Sequence, residues 1–447
     1  MKINLSSAKK INELKGFGAS ACWWSPQISD EKTASEVAEL LYGDNGLKMN
    51  IYRYNVGGGY EEGNVRVSNP WRVIESFMEK DGSFNWDADK NAVKVMDKAL
   101  ATGNVDTLIF FVNSPHYSHT LSGQASGGFT EHFSNLDKTK YDDFARYIVD
   151  IAEHFIENGY PVKYISPINE PQWKWGGESV RQEGCHYEPD EVRDCFLAVA
   201  KELEKRNSAL KLYGMESGSI SQLTKDYYDL LMSEPLIAKY LDVFAYHSYW
   251  SDDDIENKVD FGNWARDNVK IRLDMSEWCE LPCKNDTKSI KSTLIMARVI
   301  GEDLIYSRAN SWTAWVGVNQ WDNAMNNGKC YSDGLLVARD DFSDYYVAMR
   351  YYAMAHFSKY IPVGSISLDI GYKKSRGLSV FAFENTDSET VLVVVNESKM
   401  KRCIESDVKF DTARVITTTQ ENQLVESVHS EKSISVPAMS VQTIILK

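Results

Sequence analysis

Residues Val162–Pro171 read VKYISPINEP, an apolar run that stops at Asn169, Glu170 and Pro171. A short apolar run closed by such a break reads as a buried strand. The next long segment, Pro189–Asn207, carries helical periodicity instead. The same strand-then-helix unit recurs in both directions. Apolar runs fall at Gly16–Trp24, Met49–Gly58, Thr107–Pro115, Val162–Pro171, Leu210–Gly218, Leu241–Trp250, Ile271–Trp278 and Ser311–Asn319, eight in all. Helix-like segments lie between them at Asp30–Leu41, Asp87–Thr102, Lys140–Asn158, Pro189–Asn207, Leu223–Ser233, Asp260–Asn268 and Ile290–Arg308. A last helix is expected over Asp344–Phe357 with Ser343 as its N-cap. Strands that alternate with helices pair in parallel, and eight such units predict an α/β fold, a closed (β/α)8 TIM barrel over residues 16–358.

Beyond the barrel the pattern changes. From Ser365 onward short apolar segments such as Leu378–Phe383, Thr390–Asn396 and Ser440–Leu446 are separated by polar turns, and helical periodicity is lost. This predicts a small β-sandwich side domain over residues 359–447. The N-terminal segment, residues 1–15, is expected to pair with that sandwich before the chain enters the barrel.

Composition narrows the function. The 447 residues are 43% hydrophobic and 25% charged, as in ordinary globular proteins. No apolar run reaches the length of a membrane span. The 64 acidic residues against 49 basic give a net charge of −15, which disfavours nucleic acid and favours a neutral ligand. The seven Cys are irregularly spaced and form no disulfide framework; Cys279 and Cys283 have no second pair to complete a zinc site. His119, His132 and His186 show no metal-ligand spacing either, so neither metal nor cofactor is expected. The start MKINLSSAKKINELKGFG has no apolar signal region, which predicts a cytoplasmic address for a chain read from this start, and a secreted one if a leader has been trimmed.

Most strands end in a polar or aromatic residue, and in a barrel the C-terminal strand ends build the active site. Glu170 ends the fourth strand and Glu277, in LDMSEW, the seventh. A carboxylate at a buried strand end is costly unless paired or used. Two that converge on one ligand suit glycoside hydrolysis, in which one group protonates the leaving oxygen and the other attacks the anomeric carbon or activates water. Other strand ends supply supporting candidates. Asn169 is placed to bond a sugar 2-OH, Arg53 to keep Glu277 ionised, and Tyr249 to orient Glu277, with His247 beside it. Trp315 is a candidate floor for a sugar ring. Asn113, His116 and Trp24 are further strand-end candidates for substrate contact or support. Glu216 is a third acidic strand end, read as a supporting or sugar-contact residue.

These landmarks carry a resemblance. GFGASACWW, MNIYRYNVGG, NSPHYSHTLSGQASGG, INEP, SEW and the closing VPAMSVQTIILK together resemble glycoside hydrolase family 30, over nearly the whole chain. The resemblance implies a retaining mechanism with Glu170 as acid/base and Glu277 as nucleophile. CWW, DGSFNWDADKN (residues 81–91) and RQEGCHY (residues 181–187) resemble the branch that acts on β-1,6-linked galactans. The chain departs from that branch after the third strand, where NSPHYSHT places His116 and Ser118. The implied partner is a neutral oligo- or polysaccharide, with β-1,6-galactosyl linkages as the expected target. β-Glucosides, β-xylans and β-galactosides or β-fucosides are alternatives within the family, and a non-catalytic carbohydrate-binding barrel is the alternative outside it. A retaining pair predicts carboxyl groups about 5 Å apart; about 8 Å would indicate inversion.

Overall fold

The computed structural model describes residues 1–178, 180–281, 285–320, 332–339, 342–371, 377–430 and 433–447. Cys283 and Cys330 therefore lie outside the described residues, and the other five cysteines are not in disulfides.

Eight parallel strands close a barrel: β1 (Gly16–Ser20), β2 (Ile51–Asn55), β3 (Thr107–Phe111), β4 (Val162–Ser166), β5 (Lys211–Ser217), β6 (Leu241–His247), β7 (Arg272–Trp278) and β8 (Ser311–Ala314). Closure is the β8–β1 pairing, with Ser311 opposite Gly16 and Ala314 opposite Ala19. The alternation of β2 shows how sequence becomes architecture. Ile51 packs inside the barrel with Ile109, Tyr164, Tyr213, Val243 and Ala245. Arg53, two residues on, also points inward. Tyr54 faces out, its ring 5.0 Å from that of Phe110 and 6.2 Å from that of Phe155 on the outer helix layer.

The helices are α1 (Glu31–Tyr42), α2 (Lys90–Ala101), α3 (Tyr141–Glu157), α4 (Pro189–Arg206), α5 (Gln222–Met232), α6 (Pro235–Tyr240), α7 (Ile255–Asn268), α8 (Ile290–Ile305) and α9 (Met349–Ser358). Local chemistry starts several of them. The Asp30 side chain accepts from Thr33 N at α1, and Glu188 and Glu191 form a capping box at α4.

One expected element is corrected. The helix predicted over Asp344–Phe357 begins only at Met349, with Ala348 rather than Ser343 at the N-cap position. Residues Tyr345–Val347 instead form a strand antiparallel to Leu336–Ala338, which pairs in parallel with Val318–Gln320. Two aromatics and a valine fit a pleated strand, and a partner strand outweighs the helical spacing.

The side domain is a sandwich. Its seven-stranded sheet runs in the order Val425–His429, Ala413–Thr418, Ser440–Leu446, Thr390–Asn396, Leu378–Glu384, Ile366–Asp369 and Lys9–Glu13. A three-stranded sheet of Lys2–Ile3, Arg402–Ser406 and Ser433–Val436 covers one face. Both N-terminal strands thus belong to sheets of this domain. The inner strands of the large sheet are buried on both faces, while its edge strand Val425–His429 is exposed. In TVLVVVN, Leu392 and Val394 join the sandwich core while Val391, Val393 and Val395 join the barrel's core. Among the described residues no helix is long and apolar enough to cross a membrane.

Candidate active site

The strand ends converge on Arg53. Its side chain is fully buried, and its guanidinium stacks 3.5 Å from the centroid of the Phe111 ring. Nε donates to Glu216 Oε1 at 3.1 Å, Nη1 to Glu277 Oε2 at 2.9 Å and Nη2 to Asn169 Oδ1 at 2.8 Å. Burial works against this cation, but Glu216 and Glu277 outweigh it and hold the guanidinium charged. Glu216 faces Arg53 from within the barrel, its Oε2 accepting from Arg53 Nη2 at 3.2 Å and from Ser166 Oγ at 2.5 Å.

Glu277 has a donor on each oxygen. Tyr249 donates its hydroxyl to Oε1 at 3.0 Å, opposite the Arg53 bond to Oε2. Burial pushes the Glu277 carboxyl up to about 7, against the pull of His247 and Arg53. The sequence reading expects cations to keep this group ionised; the structure supplies them, and desolvation offsets them.

Glu170 lies four residues past the end of β4. Its backbone is left-handed (φ 48°) and its amide donates to Glu216 O at 2.9 Å, so the turn that presents the carboxyl is pinned to β5. Glu216 shares the same unusual backbone (φ 48°), and such conformations concentrate at functional sites. His247 Nδ1 bonds Glu170 Oε1 at 3.0 Å and lies 3.7 Å from Glu277 Oε1. Burial lowers the affinity of His247 for its proton, but Glu277 and Glu170 outweigh that and raise it. An imidazole that favours its charged form thus stands between two carboxyl groups. One donor atom from each of Glu170, His247 and Glu277 falls within 4.8 Å of the others, which makes this trio the group among the described residues that could hold a cation. Asn169 extends the network, donating Nδ2 to Asn113 Oδ1 at 3.1 Å.

Above this floor lies a cleft of about 370 Å³, whose lining includes Asn113, Asn169, Glu170, Tyr249, Glu277 and Trp315. Two predicted residues fall elsewhere. Trp24 is wholly buried and its indole Nε1 donates to Ser20 O at 2.9 Å; its neighbour Trp23 lines the cleft. The strand ends at Ser20, so alternation cannot be extended to residue 24, and Trp23 turns inward through a left-handed backbone (φ 66°). His116 is also fully buried, bonding Ser118 Oγ at 2.8 Å and Met78 O at 2.9 Å. Burial pulls its pKa down to about 4.

The sequence reading missed several lining residues: Trp173, Trp175, Arg72, Gln182, Trp250 and Asp333. The aromatic spacing QWKW, which begins two residues after Glu170, is a local signal for Trp173 and Trp175, and RQEGCHY holds Gln182.

A (β/α)8 barrel whose mouth holds two donor-flanked glutamates at the ends of strands four and seven is the scaffold of a glycoside hydrolase. Residues 1–248 match the model of O-glycosyl hydrolase family 30, and residues 364–444 match the family's β-sandwich domain. The chain belongs to glycoside hydrolase family 30. It is 26% identical over 249 residues to an endo-β-1,6-galactanase of Hypocrea rufa, a match covering 49% of this chain and 48% of that protein. The chain thus spans about half the length of that relative. It is 22% identical over 414 residues to the lysosomal acid glucosylceramidase of Mus musculus, covering 89% of this chain and 77% of that protein. Among solved structures, a conserved exported protein from Bacteroides fragilis shares the fold with a TM-score of 0.83 at 24% identity, covering 100% of this chain and 99% of that one.

Proposed function

We propose that this protein is a retaining β-glycosidase that cleaves β-1,6-galactosyl linkages in galactan or arabinogalactan-derived oligosaccharides. The observation that carries the mechanism is the approach of Glu170 and Glu277, with an oxygen of each within 4.8 Å. An approach this close falls on the retaining side of the two geometries, about 5 Å rather than about 8 Å, and suits direct attack by one carboxylate. Glu277, steadied by Arg53 and Tyr249, attacks the anomeric carbon while Glu170 gives its proton to the leaving oxygen. Glu170 then takes a proton from the water that releases the glycosyl group from Glu277, restoring both residues. Asn169, fixed by Arg53 and Asn113, is presented to the 2-OH, and Trp315 to the sugar face.

The galactanase relative supports the β-1,6-galactan reading. The glucosylceramidase relative, which matches most of the chain, supports a β-glucoside as the second reading. Incubation with β-1,6-galactotetraose, β-1,6-glucan and xylan oligomers, followed by NMR, decides between them. Cleavage of the galactan with the β-anomer formed first is the expected result. Cleavage of another oligomer alone would move the substrate, and an initial α-anomer would overturn the retaining assignment. Glu277→Gln should abolish turnover, with circular dichroism unchanged; near-native activity in that variant would remove Glu277 as nucleophile.

A further inference from the structure

The cleft differs at its two sides. On one, the loop after β2 is zipped to the loop after β4. The Ser68 amide donates to Val180 O at 3.1 Å, Arg72 Nη1 to Gln182 Oε1 at 3.3 Å, and the Ile74 amide to Glu183 Oε1 at 3.0 Å. The tie at Glu183 is deep, since its side chain is buried and also accepts from Asn55 Nδ2 at 3.3 Å. The Arg72 guanidinium lies 4.9 Å over the Trp23 ring, which joins the end of β1 to this wall. On the other side, Trp250 past β6 and Leu281 past β7 line the same cleft with 65% and 40% of their surface exposed. An exposed indole beside the cleft gives a sugar ring a flat apolar face to stack on.

The acid fixes which part of the substrate lies on which side. Glu170 Oε1 sits against His247 of β6, and a Cβ on Gly218, just past β5, would come within 2.7 Å of it. The Glu170 carboxyl therefore faces β5 and β6, and the leaving group must meet it there. Asn169, bonded to Arg53 of β2 and to Asn113 just past β3, faces the walled side.

We propose that the enzyme acts from the non-reducing end of its glycan. The zipped loops 68–74 and 180–183 are the stop for that end, and the chain beyond the scissile bond leaves over Trp250. This rests on Glu170 being the acid, and adds to it a direction and a limit. Each turnover should release a short saccharide of one fixed size.

The test uses a series of β-1,6-linked galactooligosaccharides carrying a fluorophore at the reducing end. Expected is a single unlabelled product size from the first time point, with the labelled chain shortening in equal steps. Unlabelled products of mixed size at the earliest times would overturn the proposal. If the galactan series is inert and a β-1,6-glucan or xylan series is cleaved, the galactan assignment fails, and product size is read on that series instead. The double variant Arg72→Ala, Gln182→Ala, checked for native folding by its melting curve, should release mixed sizes. A fixed size in that folded variant would overturn the wall as the stop. Should it not fold, the wild-type product pattern still decides the direction of attack.

Discussion

Tyr249 and Arg53 each hold one oxygen of Glu277, and they act on its charge in the same direction. A hydrogen bond given to an ionised carboxylate favours the ionised form. Burial opposes both and places the Glu277 carboxyl at about 7. Attack needs the carboxylate, so kcat/KM should fall as pH drops through about 7, because protonated Glu277 accumulates in the free enzyme. Tyr249→Phe removes one donor while keeping the ring. The acid limb should then move to higher pH, and the rate at neutral pH should fall about 10- to 100-fold, the weight of a bond to a charged group. A pH–rate profile of both enzymes on an aryl glycoside checks this; an unmoved limb would take Glu277 out of the titration. At this scale the sequence was readable wherever a polar residue closes an apolar run, as with Asn169, Glu170 and Glu277. It was not readable where a distant partner decides the outcome. His116 is held in the interior by Met78 O, 38 positions earlier, and nothing in NSPHYSHT announces that bond.

Helix α8 shows the elements acting as a unit. Its Asp303 accepts from Ser248 Oγ at 2.8 Å and from Trp312 Nε1 at 3.0 Å, joining the end of β6 to β8. Ser248 stands between His247 and Tyr249, both of which touch the glutamate pair, so the helix braces a segment that orients the chemistry. Lys258 of α7, fully buried, forms ion pairs with Asp303 at 3.0 Å and Glu302 at 3.4 Å. Removing one partner from a buried ionic cluster strands the other charges without water. Lys258→Met should therefore destabilise the protein by about 3–5 kcal/mol, measured by chemical denaturation, despite filling the same space. A change below about 1 kcal/mol would show that the carboxylates are satisfied without it. None of this cluster was foreseen, since charged residues on a helical segment read as a solvated face. The strands were legible because parallel strands buried on both faces are apolar runs of fixed length. Tyr345–Val347 failed that reading because three residues are too few to show a period, and its pairing with Leu336–Ala338 is a tertiary fact.

The two parts of the molecule meet at one apolar junction. Strand Leu378–Glu384 sends Val380 and Ala382 into the sandwich and Phe381 and Phe383 towards the barrel helices. Phe383 packs 6.2 Å from Phe357 of α9, and Phe381 lies 6.3 Å from Tyr306, just past α8. The loss of helical periodicity near residue 365 was legible, and so were the short apolar segments between polar turns. What was hidden was the fit that lets a sheet lie against a helix. Buried His356 of α9 is part of it, bonding Thr443 Oγ1 at 2.8 Å and Thr418 Oγ1 at 2.9 Å across the junction, with burial holding its pKa near 3 so that it stays neutral. Gly301 is the other part. A Cβ there would meet the Phe381 ring at 2.1 Å, so the absent side chain is the socket for that ring. Gly301→Ala should improve the intrinsic helix propensity of α8 by about 1 kcal/mol. It must also push Phe381 out of a packed junction, at a cost of about 1–3 kcal/mol. The ring is held by the sheet on one side and the helix on the other, so the packing term should win and the melting temperature should fall. The substitution sits on the outer face of α8 against the side domain, so kcat/KM on an aryl glycoside should be unchanged at temperatures where the variant is folded. A rise in melting temperature would mean that Phe381 has room to swing aside, and that the junction is looser than its burial implies.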